Sequence, residues 1–119
     1  MERAFSAGDD LIFQVESGYG LLRLLALSGE GSETVWHLLA YDEFFPDIES
    51  AERALAKRDL LKIRRSHMAL TNSAFERTPV ARLSNSTLND NELAAYREWL
   101  QREPKLVSDR SALLMLGIR

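Results

Sequence analysis

Ser17-Gly18-Tyr19-Gly20-Leu21-Leu22-Arg23-Leu24-Leu25-Ala26-Leu27-Ser28-Gly29-Glu30-Gly31-Ser32 is the stretch from which the fold can be read. The glycines at 18 and 20, and again at 29 and 31, mark two turns, where a residue without a Cβ takes positive φ freely. The segment between them, Leu21–Leu27, is apolar on both strand faces except at Arg23. A strand of that kind is expected to be central in its sheet or covered on both faces.

Upstream, Ala7-Gly8-Asp9-Asp10 opens a strand over Leu11–Val15, in which Leu11, Phe13 and Val15 share one face. Downstream, Val35, His37, Leu39 and Tyr41 alternate with Trp36, Leu38 and Ala40, which predicts a third strand over Thr34–Tyr41. Three strands joined by short glycine-rich loops form a meander. The period then changes. Asp47 suits the N-cap of a helix over 48–57, with Ile48, Ala51, Ala54 and Leu55 as its apolar stripe. Leu60–Arg65 returns to strand, and Met68-Ala69-Leu70 keeps the apolar character. Thr71 or Asn72 can cap a single turn around Ser73–Phe75. Pro79–Leu83 reads as an edge strand.

The polar segment Ser84–Asn91 is the expected boundary or hinge. Asn89 with Glu92 fits a capping box for a helix over Asp90–Arg102, with Leu93, Tyr96, Trp99 and Leu100 on one side and Pro104 stopping it. Ser108 is expected to cap a last helix over Asp109–Leu116, closed by Gly117. The class is therefore α+β: a small bent antiparallel β-sheet or SH3-like partial barrel, with one inserted helix and a helical C-terminal tail. Residues 1–84 form the β-rich core with the inserted helix 48–57. Residues 85–119 form a helical extension packed on that core or at a subunit interface, so that the whole is one structural domain.

With 119 residues and no cysteine, the chain has no thiol nucleophile, disulfide, cysteine-ligated zinc or iron–sulfur cluster. No apolar run approaches the ~20 residues of a membrane helix. Met1-Glu2-Arg3-Ala4 lacks the basic-then-apolar order of a secretion signal, so a cytoplasmic location away from membranes is expected. The net charge of −3 hides a segregation. Residues 1–52 set two bases against eleven acids, residues 53–82 set eight bases against two acids, and the remainder balances. Opposed acidic and basic surfaces follow, either neutralising each other or serving partners.

Catalytic templates are missing. Gly18-Tyr19-Gly20 lacks a third glycine and leads into a strand, so it does not make a phosphate loop. His37 and His67 are the only histidines; both lie in predicted strands and could approach each other if those strands pair. With Asp42 or Glu43 they could imitate a two-His, one-carboxylate centre. Without ligand spacing, a hydrogen-bonded, half-buried histidine on each strand is the simpler expectation. Neither an enzyme, a metal nor a cofactor is expected.

Asp42-Glu43-Phe44-Phe45-Pro46-Asp47 is the most unusual stretch. In an acidic loop, Phe44 and Phe45 could anchor a protein partner, with Asp42, Glu43 and Asp47 supplying charge, or tuck under the next helix as a hydrophobic staple. Lys57, Arg58, Lys62, Arg64 and Arg65 could track a phosphate backbone. They carry no interleaved aromatics, and the domain is acidic, which disfavours nucleic acid.

Gly8-Asp9 opening a strand, Gly18-Tyr19-Gly20 before an apolar strand with one arginine, and Tyr41-Asp42 leading to Pro46-Asp47-Ile48-Glu49 form a familiar series. Over residues 8–70 it resembles bacterial immunity proteins, small cytoplasmic proteins with an SH3-like barrel found beside polymorphic toxins or as orphans of unknown role. The resemblance implies a binding role without catalytic residues, in which the acidic half meets a basic toxin. The expected function is thus a non-enzymatic protein-interaction module with an acidic, aromatic-bearing surface. The alternatives are a homo-oligomer, such as a homodimer through the C-terminal helices, and a nucleic-acid binder through segment 57–65.

Overall fold

A computed structural model describes residues 5–118. Met1 to Ala4, the stretch read for a secretion signal, and Arg119 lie outside the described residues. The chain runs through β1 (Asp9–Val15), β2 (Gly18–Ser28), β3 (Val35–Phe45), α1 (Ile48–Leu55), β4 (Ile63–Thr71), α2 (Asn72–Glu76), β5 (Val80–Asn85), α3 (Asp90–Leu100) and α4 (Ala112–Met115). Single 3-10 turns occupy Gly31–Glu33 and Arg58–Leu60.

The expected α+β class is the one observed. Five antiparallel strands form an open sheet in the order β4-β3-β2-β1-β5, with β2 at its centre. Register shifts interrupt all but the β1–β2 pairing, and bulges of this kind bend a sheet. Both faces are covered. On one, Leu11, Leu22, Leu24, Trp36, Leu38 and Met68 pack with residues of α2 and α4. On the other, Ile12, Leu21, Leu25, Leu39 and Tyr41 pack with residues of α1 and α3. The double apolarity of 21–27 is therefore a consequence of two cores sharing one strand. Among the described residues no helix is long and apolar enough to cross a membrane.

Several boundaries differ from expectation, those of β1, β3 and the last helix through tertiary contacts. β1 starts at Asp9 because Asp9 and Asp10, both fully buried, are hydrogen-bonded inside the protein. β3 runs on to Phe45, so Asp42–Phe45 is strand where a loop was expected: Phe44 and Phe45 pair with Gly20 and Tyr19. That pairing needs Gly20, since a Cβ there would fall against the Phe13 ring. β4 starts at Ile63, after the 3-10 turn, and continues to Thr71. α1 and α3 stop at Leu55 and Leu100, each two residues short of the predicted ends. The last helix begins at Ala112 with Ser111 as its cap, because the Ser108 backbone is spent bridging Ala69 and Thr71 of β4. Gly117 follows it at φ 71°, as expected of a residue closing a helix.

The polar segment after β5 is bonded to the sheet. Asn85 Nδ2 donates to Asp9 Oδ1 at 2.7 Å, and Ser86 N–H to the Gly8 carbonyl at 3.1 Å. Asn89 then caps α3, accepting from Glu92 N–H at 2.8 Å while Glu92 accepts from Asn89 N–H at 2.9 Å. Asn89→Ala removes one arm of this box. A loss of about 1 kcal/mol in a urea titration is expected, with the slope of the transition unchanged.

Candidate functional site

The most elaborate constellation of charged groups lies where β1, β2, the turn at 58–60 and α3 converge. Arg23 projects from central β2 and is completely buried. Its guanidinium donates to the Gly8 carbonyl, to the Thr87 carbonyl at 3.3 Å, and from Nε to Glu92 Oε2 at 2.9 Å. Its Nη1 reaches Asp10 Oδ1 at 3.5 Å. Asp10 in turn accepts both arms of Arg58, at 2.7 and 2.8 Å, and the Ser84 hydroxyl at 2.7 Å. Arg58 also donates to the Tyr41 hydroxyl at 3.0 Å. Two cations and two carboxylates thus neutralise one another under the N-terminus of α3.

The electrostatics follow from these contacts. Burial pushes the Glu92 carboxyl up, but the hydrogen bonds from Arg23 and the Asn89 backbone outweigh it, and the net direction is down. Burial raises the Tyr41 phenol, and Asp10 holds Arg58 above its already high range. These groups keep their ordinary charge states near neutrality, whereas acid–base catalysis wants a group poised near the working pH. A cleft of about 170 Å³ opens beside them, with Leu39, Leu61 and Ile63 as its apolar wall and Tyr41, Arg58 and Glu92 as polar lining.

The acidic aromatic stretch is divided by its strand geometry, since successive residues face opposite sides. Phe45 is 8% exposed and joins Ala51 in the core beside α1, which is the staple expectation. Phe44 is 44% exposed and lines a cleft with Val15, Glu16, Arg64 and Ile118. Asp42 meets Arg64 at 3.4 Å. Glu43 is half-buried, and Asp47 caps α1 by accepting from Ser50 N–H at 2.7 Å.

The basic set is largely occupied within the chain. Arg58 holds Asp10, Arg64 donates to the Leu116 carbonyl at 2.6 Å, and Arg65 donates to the Met115 carbonyl at 3.3 Å. The two arginines thereby satisfy carbonyls at the end of α4. Lys57 and Lys62 are exposed. The C-terminal helix buries Ala112 and Leu116 and leaves Leu114 66% exposed.

The histidines do come together: His37 Nδ1 lies 3.0 Å from His67 Nε2. Among the described residues, no cluster of three or more His, Cys, Asp or Glu could hold a metal, so neither Asp42 nor Glu43 completes a centre with them.

The sequence reading missed the Asp10–Arg23–Arg58–Glu92 network. Its one local signal is a lone arginine in a strand otherwise apolar on both faces, which demands buried partners. Comparisons with protein-family models, with curated proteins and with solved structures find no match for this chain.

Proposed function

We propose that this chain is a non-enzymatic protein-interaction module whose recognition surface is centred on Phe44, with Asp42 and Glu16 supplying negative charge around it. The observation that carries the reading is the exposure of Phe44 within a paired strand, beside an open cleft. Its neighbour Phe45 shows that the fold can bury an aromatic here, so the fold gains nothing from leaving Phe44 out. Exposed aromatics in shallow clefts are where binding energy concentrates in interfaces. The excess of acids in residues 1–52 suits a basic partner, drawn in by long-range attraction. The resemblance to immunity proteins points to a toxin as that partner.

The test compares immobilised wild-type chain with Phe44→Asp and Asp42→Lys, exposed to extract from the source cells at low and high salt. A partner held by the wild type should be weakened at least ~30-fold by Phe44→Asp, the scale of an interface hot spot. Asp42→Lys should act mainly on the association rate and lose its effect in high salt. Phe44→Asp should unfold near the wild-type urea midpoint, and Asp42→Lys, which gives up the Arg64 contact, should lose no more than about 1 kcal/mol. Equal retention by all three proteins would remove Phe44 from the proposed surface.

A further inference from the structure

His37 on β3 and His67 on β4 stack with ring centroids 5.2 Å apart and planes inclined by 13°. Beyond the 3.0 Å contact between them, His37 Nε2 lies 3.0 Å from Ser28 Oγ of β2. α3 closes over the pair. The Tyr96 and Trp99 rings lie 4.6 and 4.7 Å from His37, and 5.9 and 5.7 Å from His67. The charged groups acting on the pair are both cations: Arg65 of β4, and Arg102 just beyond α3.

The shared hydrogen bond requires one facing nitrogen with a proton and one without. A single imidazolium can preserve it by donating to its neutral neighbour. Two imidazoliums cannot, because both facing nitrogens then carry hydrogens and two like charges meet at contact distance. The surroundings make this worse, since Ser28 can accept one proton while Arg65 and Arg102 repel.

We propose that the His37–His67 pair is an acid-sensitive latch: while it is neutral α3 stays seated on the sheet, and double protonation releases α3. Release uncovers the apolar face beneath Leu93 and Tyr96, where Leu25, Leu39 and Tyr41 lie.

Burial, and then the charge of His67, holds His37 down to about 4. Burial, then Arg102 and Arg65, holds His67 down to about 4. In the released state both return toward the ordinary value of 6.5. Between these limits the seated state binds fewer protons than the released one, so seating is favoured as pH rises. The latch is fully engaged above pH 6.5, weakens as pH falls, and is spent at about 4. Two protons taken up together change the release equilibrium by up to ~100-fold per pH unit. The Glu92–Arg23 contact on the same helix acts lower, because Glu92 titrates below its ordinary 4.5.

The chain has no cysteine, so Leu93→Cys places a unique thiol on the core-facing side of α3. Its labelling by an acid-tolerant pyridyl disulfide is measured from pH 7 to pH 4.5 and divided by the rate in the urea-unfolded chain. The indole N–H resonance of Trp36, which donates to Asn72 on the opposite face, reports whether the rest of the protein stays folded. The ratio should rise steeply as pH falls while the Trp36 signal holds, and adding His67→Gln should reduce the slope to ~10-fold per unit or less. In the unmutated chain, nuclear magnetic resonance should show both imidazoles titrating below pH 6, together with loss of the seated α3 amide signals. Labelling that ignores pH, a slope unchanged by His67→Gln, loss of the Trp36 signal in step with labelling, or either ring titrating near 6.5 with α3 still seated would each overturn the latch.

Discussion

Arg23→Ala is expected to lower the unfolding free energy by about 3–5 kcal/mol in urea, enough to leave a small domain barely folded. The magnitude follows from what the substitution strands. Asp10 retains both arms of Arg58, but Glu92 loses its guanidinium while its side chain is only 10% exposed. The Gly8 and Thr87 carbonyls lose a donor as well. An unpaired, poorly solvated charge costs far more than the net worth of the pair it left. Arg64→Ala makes the contrast: it removes an ion pair whose partners are 35% and 46% exposed and one hydrogen bond to the Leu116 carbonyl, so a loss of about 1–2 kcal/mol is expected. Arg23→Met combined with Glu92→Leu should recover much of the loss, because the orphaned carboxylate leaves with its partner. If Arg23→Ala proves as mild as Arg64→Ala, the network is not holding the junction between the sheet and α3.

The fold was more legible in the sequence than this network, for a physical reason. Periodicity reports which face a residue turns to water, and in Leu21–Leu27 neither face does. That pattern implies a strand either central or doubly covered, and β2 is both. Periodicity says nothing about partners far along the chain, and Arg23 finds Asp10 at a separation of 13 residues and Glu92 at 69. The same limit explains Ser108 and Ser111. Both are competent caps, and only the pairing of the Ser108 backbone with β4 decides between them.

Phe44 and Phe45 show the converse. Asp47 caps α1 as expected, but how far β3 runs before it depends on β2 reaching back to Gly18. Once both residues are in the strand, alternation sends one inward and one outward. The approach of His37 to His67 was readable as soon as their strands were taken to pair. The covering of that pair by Tyr96 and Trp99 was not, since it depends on where α3 lands.

On the opposite face, Trp36→Ala should cost about 3–5 kcal/mol. The indole is 3% exposed and lies flat on Phe75 of α2, with centroids 3.7 Å apart and planes inclined by 4°. Phe5 packs edge-on against both rings. Alanine leaves a cavity the width of the indole and also strips Asn72, the first residue of α2, of the Nε1–H that donates to its Oδ1 at 2.9 Å. Trp36→Phe separates these effects: it keeps a ring against Phe75 and loses that hydrogen bond and part of the volume, so a cost nearer 1–2 kcal/mol is expected. Equal losses for the two variants would mean that the Asn72 contact, and not packing, fixes α2. Trp36 and Arg23 lie on opposite faces with no common partner among the contacts described above, so their costs should add within about 0.5 kcal/mol when combined in a background stable enough to measure. A large coupling would mean instead that β2 and β3 transmit strain between the two cores, and that the acid release of α3 would be felt at α2.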